Sequence, residues 1–282
     1  MPLFARNSRD VALTSAGEQL ARDATRLLAA SHAAVEHARR AGKGDRSLKV
    51  GFMLGADLDS TLRAFSQAHP DIDIQLKRIR WWNQTKMLLD GGVDIGFVRL
   101  PIDSEGLQLR ALYTEPLKVA LPHDHPLAAE PAASIADLLD EPILVYADAS
   151  PTWNAFWTID PRPDGSHPRH GPVVRDMEEI LEYVKAGRGV IFLPDAITQA
   201  FPRPDITYVP VTDIPPGQIA LAWNETQLSP LVADLIQAAT GELAAGERGA
   251  SGGDDTDAPG NTTGEDRDGG DGREQHAEEA KA

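Results

Sequence analysis

The sequence predicts an α/β protein in which one long helix leads into two strand-and-helix units joined by a hinge. Three observations predict it. Residues 15–40 hold no proline and are rich in alanine, leucine and arginine, which favours helix. Residues 47–240 alternate short strand-like runs with helical segments, the pattern of a sheet with parallel strands. With 282 residues and 41% apolar side chains, the chain is long enough for two such units.

The elements follow in order. Val11 and Leu13 alternate with small residues ahead of a capping box, Ser15-Ala-Gly-Glu18, which opens the long helix. Along it Leu20, Ala24, Leu27, Ser31, Ala34 and Ala38 recur at intervals of four and three. That spacing suits a thin coiled-coil seam or the face of a helix packed on its own domain. Ala41-Gly-Lys-Gly-Asp45 reads as a linker. Leu48–Phe52 is a strand, and Gly55 to His69 a helix carrying Leu58, Leu62 and Phe65, stopped by Pro70. Ile72, Ile74 and Leu76 alternate as in a half-buried strand. Trp82 to Asp90 is helical, closed by Gly91-Gly92, and Val93–Val98 is a buried strand. Leu117–Leu121 and Ile143–Tyr146 are strands, with a helix opened by Ser134 between them. Asp176–Ala186 is a helix ending at Gly187; Val190–Leu193, Ile206–Val209 and Ile219–Trp223 are strands, and Ser229–Ala239 is the final helix. From Gly241 onward Leu243 is the only large apolar residue, so 241–282 is expected to be a disordered acidic tail.

Composition excludes several chemistries. The chain has no cysteine, so it has no disulfides, thiolate metal sites or cysteine nucleophile, which fits a reducing cytoplasm. It shows no signal-peptide pattern and no apolar run near the ~18 residues of a membrane span. The net charge of −16 is unevenly spread: residues 1–46 carry +3 and residues 241–282 carry −8, so the basic end is the one suited to nucleic acid. His123-Asp-His125 is too sparse for a metal site. Gly187-Arg-Gly189 lacks a third glycine and an immediately preceding strand, and reads as a helix C-terminal turn. No Gly-x-Ser-x-Gly occurs. No cofactor, metal or catalytic residue is expected, and the chain is not expected to be an enzyme.

Pro2-Leu-Phe-Ala-Arg6, Val11-Ala-Leu-Thr14 and Ala16-Gly17 resemble the wing and linker-helix start of LysR-type transcriptional regulators. The resemblance continues through His69-Pro70, Gly91-Gly-Val-Asp-Ile-Gly-Phe97, His125-Pro-Leu127 and Ala186-Gly-Arg-Gly-Val-Ile-Phe-Leu-Pro194, and covers residues 2 to about 240. It implies a two-lobed, periplasmic-binding-protein-like (type II) effector domain behind a winged-helix remnant and a linker helix. Implied bounds are 1–14 for the wing, 15–46 for linker helix and hinge, 47–115 plus 206–240 for lobe I and 116–205 for lobe II. In that family a helix-turn-helix precedes the Pro-Leu-Phe stretch, where this sequence has Met1. A start codon assigned too late is the favoured explanation, and sequence-specific DNA binding is not expected of these residues alone. Arg6 and Arg9 remain for phosphate contacts, which position a protein without specifying sequence.

The resemblance also implies a small-molecule effector between the lobes. Gly55 would let a ligand approach the backbone, or simply make the turn, and Asp57 would face the ligand or, with Asp59, cap the helix. Trp81, with Trp82 and Asn83 after it, offers a flat wall, and Arg99 pairs with a ligand carboxylate or with a neighbouring acid. Tyr146, Ser150 and Thr152 lie on the second lobe's crossing segment, the latter two as ligand donors or turn caps. Leu20, Ala24, Leu27 and Ala34 would pair with a partner's helix in a homodimer or homotetramer. The expected function is cytoplasmic transcription regulation. The alternatives are a two-lobed solute-binding protein, a truncated regulator that dimerises without reading DNA, and an enzyme on the same fold.

Overall fold

The computed structural model describes residues 1–6, 11–43 and 46–250. Strands β1 (Phe4–Arg6) and β2 (Val11–Leu13) form an antiparallel hairpin pairing Phe4 with Leu13. Helix α1 (Ser15–Lys43) follows. Its cap lies one residue before the expected box: the Gly17 amide donates to Thr14 Oγ1 at 3.1 Å, and Thr14 Oγ1 donates to the Pro2 carbonyl. Gly17 presses on the hairpin, because a Cβ there would overlap the Leu3 carbonyl oxygen. Gly17→Ala is therefore expected to lift the hairpin off α1. Hydrogen exchange of the Thr14 amide, which donates to Leu3 at 3.0 Å, should accelerate at least tenfold; unchanged exchange would show that the contact is slack.

Lobe I is built on five strands in the order β4-β3-β5-β12-β6. These are β3 (Ser47–Phe52), β4 (Asp73–Arg78), β5 (Ile95–Arg99), β6 (Leu107–Glu115) and β12 (Gly217–Asn224). Strands β3, β4 and β5 run parallel, and β12 lies antiparallel between β5 and β6. Helices α2 (Asp59–Ala68) and α7 (Pro230–Ala250) cover one face, over Leu48, Val50, Ile95, Phe97 and Leu221. Helix α3 (Gln84–Leu89) packs near the other face, starting two residues later than expected.

Lobe II holds β7 (Leu117–Pro122), β8 (Ile143–Tyr146), α4 (Pro151–Thr158), β9 (His170–Val174), α5 (Met177–Lys185), β10 (Ile191–Pro194), α6 (Asp195–Ala200) and β11 (Ile206–Pro210). Its central sheet, β10-β7-β11, is antiparallel throughout, against the expectation of parallel strands. A buried apolar run is the same whichever way its neighbour points, so the pattern carried no direction. Strands β8 and β9 pair in parallel, and an Ile143–Val190 bridge joins β8 to the chain just before β10. The segment opened by Ser134 is a single 3₁₀ turn, Ile135–Leu138, with a complete capping box to Asp137.

Two boundaries differ from the sequence reading. Strand β11 pairs with β7, so residues 206–210 belong to lobe II and the chain returns to lobe I only after Pro210. Helix α7 runs on to Ala250, past the expected tail start at Gly241; 251–282 lies outside the described residues. The lobes are joined at Glu115–Leu117 and again between Pro210 and Gly217. The second hydrophobic cluster runs without interruption from Ile79 and Val98 in lobe I to Val119 and Ile180 in lobe II.

Candidate functional site

The cleft between the lobes is assembled from strand ends, where an open α/β sheet leaves backbone groups free to face a ligand. After β3 the chain turns at Gly55 with φ +78°, a conformation that suits glycine. A Cβ there would lie 2.9 Å from Ile197 of α6, so this glycine brings lobe I against lobe II. Strand β5 ends at Arg99, which is 2% exposed. Its Nε and Nη2 donate to Glu115 Oε2 at 3.1 and 2.8 Å, and its Nη1 donates to the Leu54 carbonyl at 2.9 Å. Gln84 clasps the Arg99 main chain from both sides, accepting its N–H at 2.9 Å and donating to its carbonyl at 3.2 Å. The sequence alternative of a structural ion pair at Arg99 is what the structure shows.

From lobe II, β8 delivers Tyr146. Asn154 of α4 fixes the strand end, accepting the Tyr146 N–H and donating to its carbonyl, both at 3.1 Å. Burial pushes the Tyr146 phenol above its ordinary range, while the nearby Arg99 charge pulls the other way. Ser150 Oγ accepts the Trp153 amide at 3.1 Å and caps α4, with Pro151 at the first helical position. Asp148, in the preceding turn, has φ +56°, uncommon for a non-glycine residue.

Trp81 joins the lobes directly, its Nε1 donating to the Ala147 carbonyl at 2.8 Å. It also divides the cleft. On its inner side is a narrow apolar chamber of ≈ 40 Å³, which Arg99, Tyr146, Trp153 and Trp157 help to line. On its outer side is an open pocket of ≈ 250 Å³ that includes Trp82, Asp103, Asp148 and Ser150. Rings continue through both: Trp82–Trp81 at 4.8 Å, Trp81–Tyr146 at 5.0 Å, Tyr146–Trp153 at 5.9 Å and Trp153–Trp157 at 5.3 Å. The Trp153 and Trp157 indole N–H groups are buried without an acceptor, and Glu115 Oε1 without a donor. A buried unpaired polar group costs about 1–3 kcal/mol, so two on residues that line the chamber, and a third on Glu115 behind Arg99, call for a reason.

Of the residues singled out from the sequence, Trp81, Arg99 and Tyr146 meet at the inner chamber and Ser150 lines the outer pocket. Gly55, Asp57, Asn83 and Thr152 line neither space. Gly55 backs onto Ile197; Asp57 is exposed, its Oδ1 accepting the Asp59 amide just before α2. Asn83 Oδ1 accepts the Arg80 amide at 2.7 Å, and Thr152 is exposed on the first turn of α4. The Arg6 side chain and Arg9 lie outside the described residues. Leu20, Leu27 and Ala34 are exposed along α1, and Ala24 is half-buried. His125 holds a local turn, accepting the Leu127 amide on Nδ1. Sequence reasoning missed Glu115, Trp157 and Gln84. Trp153 and Trp157, four apart behind a Ser-Pro cap, did carry a helical signal; Glu115 carried none.

Residues 45–244 match the family model described as the LysR substrate binding domain. The chain is 29% identical over 244 residues to the Hca operon transcriptional activator HcaR of Escherichia coli, covering 84% of this chain and 81% of that protein. It is 30% identical over 217 residues to the HTH-type transcriptional regulator BenM of Acinetobacter baylyi, covering 75% and 71%. The fold is similar to that of the BenM effector binding domain with its effector benzoate, with a TM-score of 0.60 at 27% identity over 71% of this chain and 93% of that one. Its sequence, its two-lobed fold and these relatives agree, and the chain belongs to the LysR-type transcriptional regulators.

Proposed function

We propose that this regulator senses a small molecule in the interlobe cleft and passes its occupancy to DNA through a change in lobe and oligomer geometry. The observation that carries the reading is the inner chamber, whose walls come from both lobes and are tied by the Trp81–Ala147 hydrogen bond. A ligand there touches both lobes at once, so it favours one lobe arrangement over another by its differential contacts. The benzoate held by the BenM domain supports a small-molecule effector. Trp81, Arg99 and Tyr146 are assigned to ligand contact, and Ser150 to the mouth.

The face of α1 through Leu20, Ala24, Leu27 and Ala34, exposed at all but the half-buried Ala24, is assigned to pairing with a second copy. The oligomer acts on DNA in the cytoplasm as a sensor rather than a catalyst, and no described residue is assigned to reading bases. No described helix is long and apolar enough to cross a membrane. A thermal-melting screen against a metabolite library tests the cleft. A true effector at about 100 times its Kd should stabilise by roughly 2.7 kcal/mol. The gain should vanish in Trp81→Ala. An undiminished gain in that variant, or no stabilising compound in the library, would overturn the assignment.

A further inference from the structure

We propose that the inner chamber takes a small, flat molecule bearing a phosphate monoester, whose two negative charges are met by Arg78 and Arg80. The proposal rests on the effector reading above and names the head group of the ligand.

The charge argument comes from the lining. Three arginines line the chamber and no acid does. Arg99 brings no net charge, because Glu115 pairs with it at 2.8 Å and both side chains are nearly inaccessible. Arg78 and Arg80 form no ion pair among the described residues. Asp103 and Asp148 line the outer pocket, on the other side of Trp81. The chamber therefore presents two uncompensated positive charges. One carboxylate would neutralise one of them. A phosphate monoester carries about −1.5 to −2 charges near pH 7 and neutralises both.

The position argument comes from the end of β4. Arg78 is the last residue of that strand, and Arg80 follows two residues on. The chain between them is fixed: the Ile79 amide donates to the Phe52 carbonyl at 2.9 Å, and the Arg80 amide to Asn83 Oδ1 at 2.7 Å. Arg78 is exposed, and half-buried Arg80 lies 5.2 Å over the Trp82 ring, so both stand at the mouth rather than in the closed interior. Each guanidinium offers a planar fork of N–H donors that matches two phosphate oxygens. The three terminal oxygens of one phosphate let both forks share a single group.

The shape argument concerns the body behind the head group. Trp81 and Tyr146 present rings 5.0 Å apart at 67°, and most of the remaining lining is apolar. A narrow space walled by rings admits a small planar body. The Tyr146 hydroxyl has no hydrogen-bond partner among the described residues, so it adds a neutral donor to the lining. Solvent screens charges at a mouth, so each arginine should add severalfold to affinity, far less than a buried charge would.

Isothermal titration of the full chain with phenyl phosphate, benzoate, phthalate and inorganic phosphate tests this. The first three share a ring and differ in charge and head group, and the last is the head group alone. Phenyl phosphate is expected to bind at least fivefold more tightly than each of the others. Arg78→Gln and Arg80→Gln are each expected to weaken it threefold or more, and the double variant to remove its advantage over benzoate. Benzoate or phthalate binding as tightly as phenyl phosphate would overturn the proposal while leaving the cleft as the effector site. Inorganic phosphate binding as tightly would overturn the part given to the rings. Undiminished binding of phenyl phosphate in both single variants would overturn the arginine assignment. No heat from any of the four would overturn the proposal as a whole, and the metabolite screen would still decide the effector reading. If a variant fails to fold, the comparison of probes on the unmodified chain decides.

Discussion

Replacing Arg99 with methionine is expected to cost about 3–5 kcal/mol of folding stability, because it leaves Glu115 buried with no counter-charge. Few single changes elsewhere in the chain should match it. The Arg99 main chain is held independently by Gln84, so the strand end should survive and the loss should reflect the orphaned carboxylate. Removing the acid as well, in Arg99→Met with Glu115→Leu, should restore most of the loss, since a packed apolar pair of similar volume often equals a buried ion pair. Urea unfolding followed by circular dichroism measures both. A loss below about 1 kcal/mol for Arg99→Met would mean that water reaches Glu115. A double variant no more stable than the single one would mean that the pair does more than neutralise charge.

Trp157→Ala is expected to cost a similar 3–5 kcal/mol. Trp157 is 1% exposed, stacked on Trp153 and in edge contact with Phe156. A Cβ built on Gly217 would stand 3.3 Å from its Cη2. The indole of a lobe II helix thus stands against Gly217, at the point where the chain returns to lobe I, and Gly217 itself pairs with Glu115 at the other crossing. Truncation should therefore loosen the relation between the lobes as well as the core. Trp157→Phe keeps a ring and gives up an N–H that has no acceptor, so it should lose less than half as much. Unfolding midpoints test the stability claim, and small-angle scattering tests the lobe claim through an increase in radius of gyration in the alanine variant. Equal losses for alanine and phenylalanine would show that the ring phenylalanine retains contributes nothing and that the reach of the indole to Gly217 carries the effect.

Much of the fold was legible because burial follows period. Val50, Ile95 and Phe97 lie in short runs whose strand character needs no tertiary knowledge, and Asp176 caps α5 where the sequence placed a helix start. Two strands were not legible, for definite reasons. Strand β9 reads His-Gly-Pro-Val-Val, and glycine and proline mark a loop in most settings. Strand β6 has a register shift opposite Ile219–Ala220 that breaks the alternation near Leu112. The return to lobe I was placed too early because β11 looks the same whichever lobe it joins. The site was legible only in part. Arg99 and Tyr146 stood out as polar groups at the ends of apolar runs. Their partners Glu115 and Asn154 are 16 and 8 residues away, and nothing local marks the pairing.

The chain of rings from Trp82 to Trp157 has an optical consequence. Four of the five tryptophans lie in it, separated by little more than van der Waals contact or by the Tyr146 ring, while Trp223 sits apart in β12. Excitation absorbed by any of the four migrates among them, so the ultraviolet emission of this protein is weighted towards the space between its lobes. The regulator carries an intrinsic, label-free reporter of its own opening and closing.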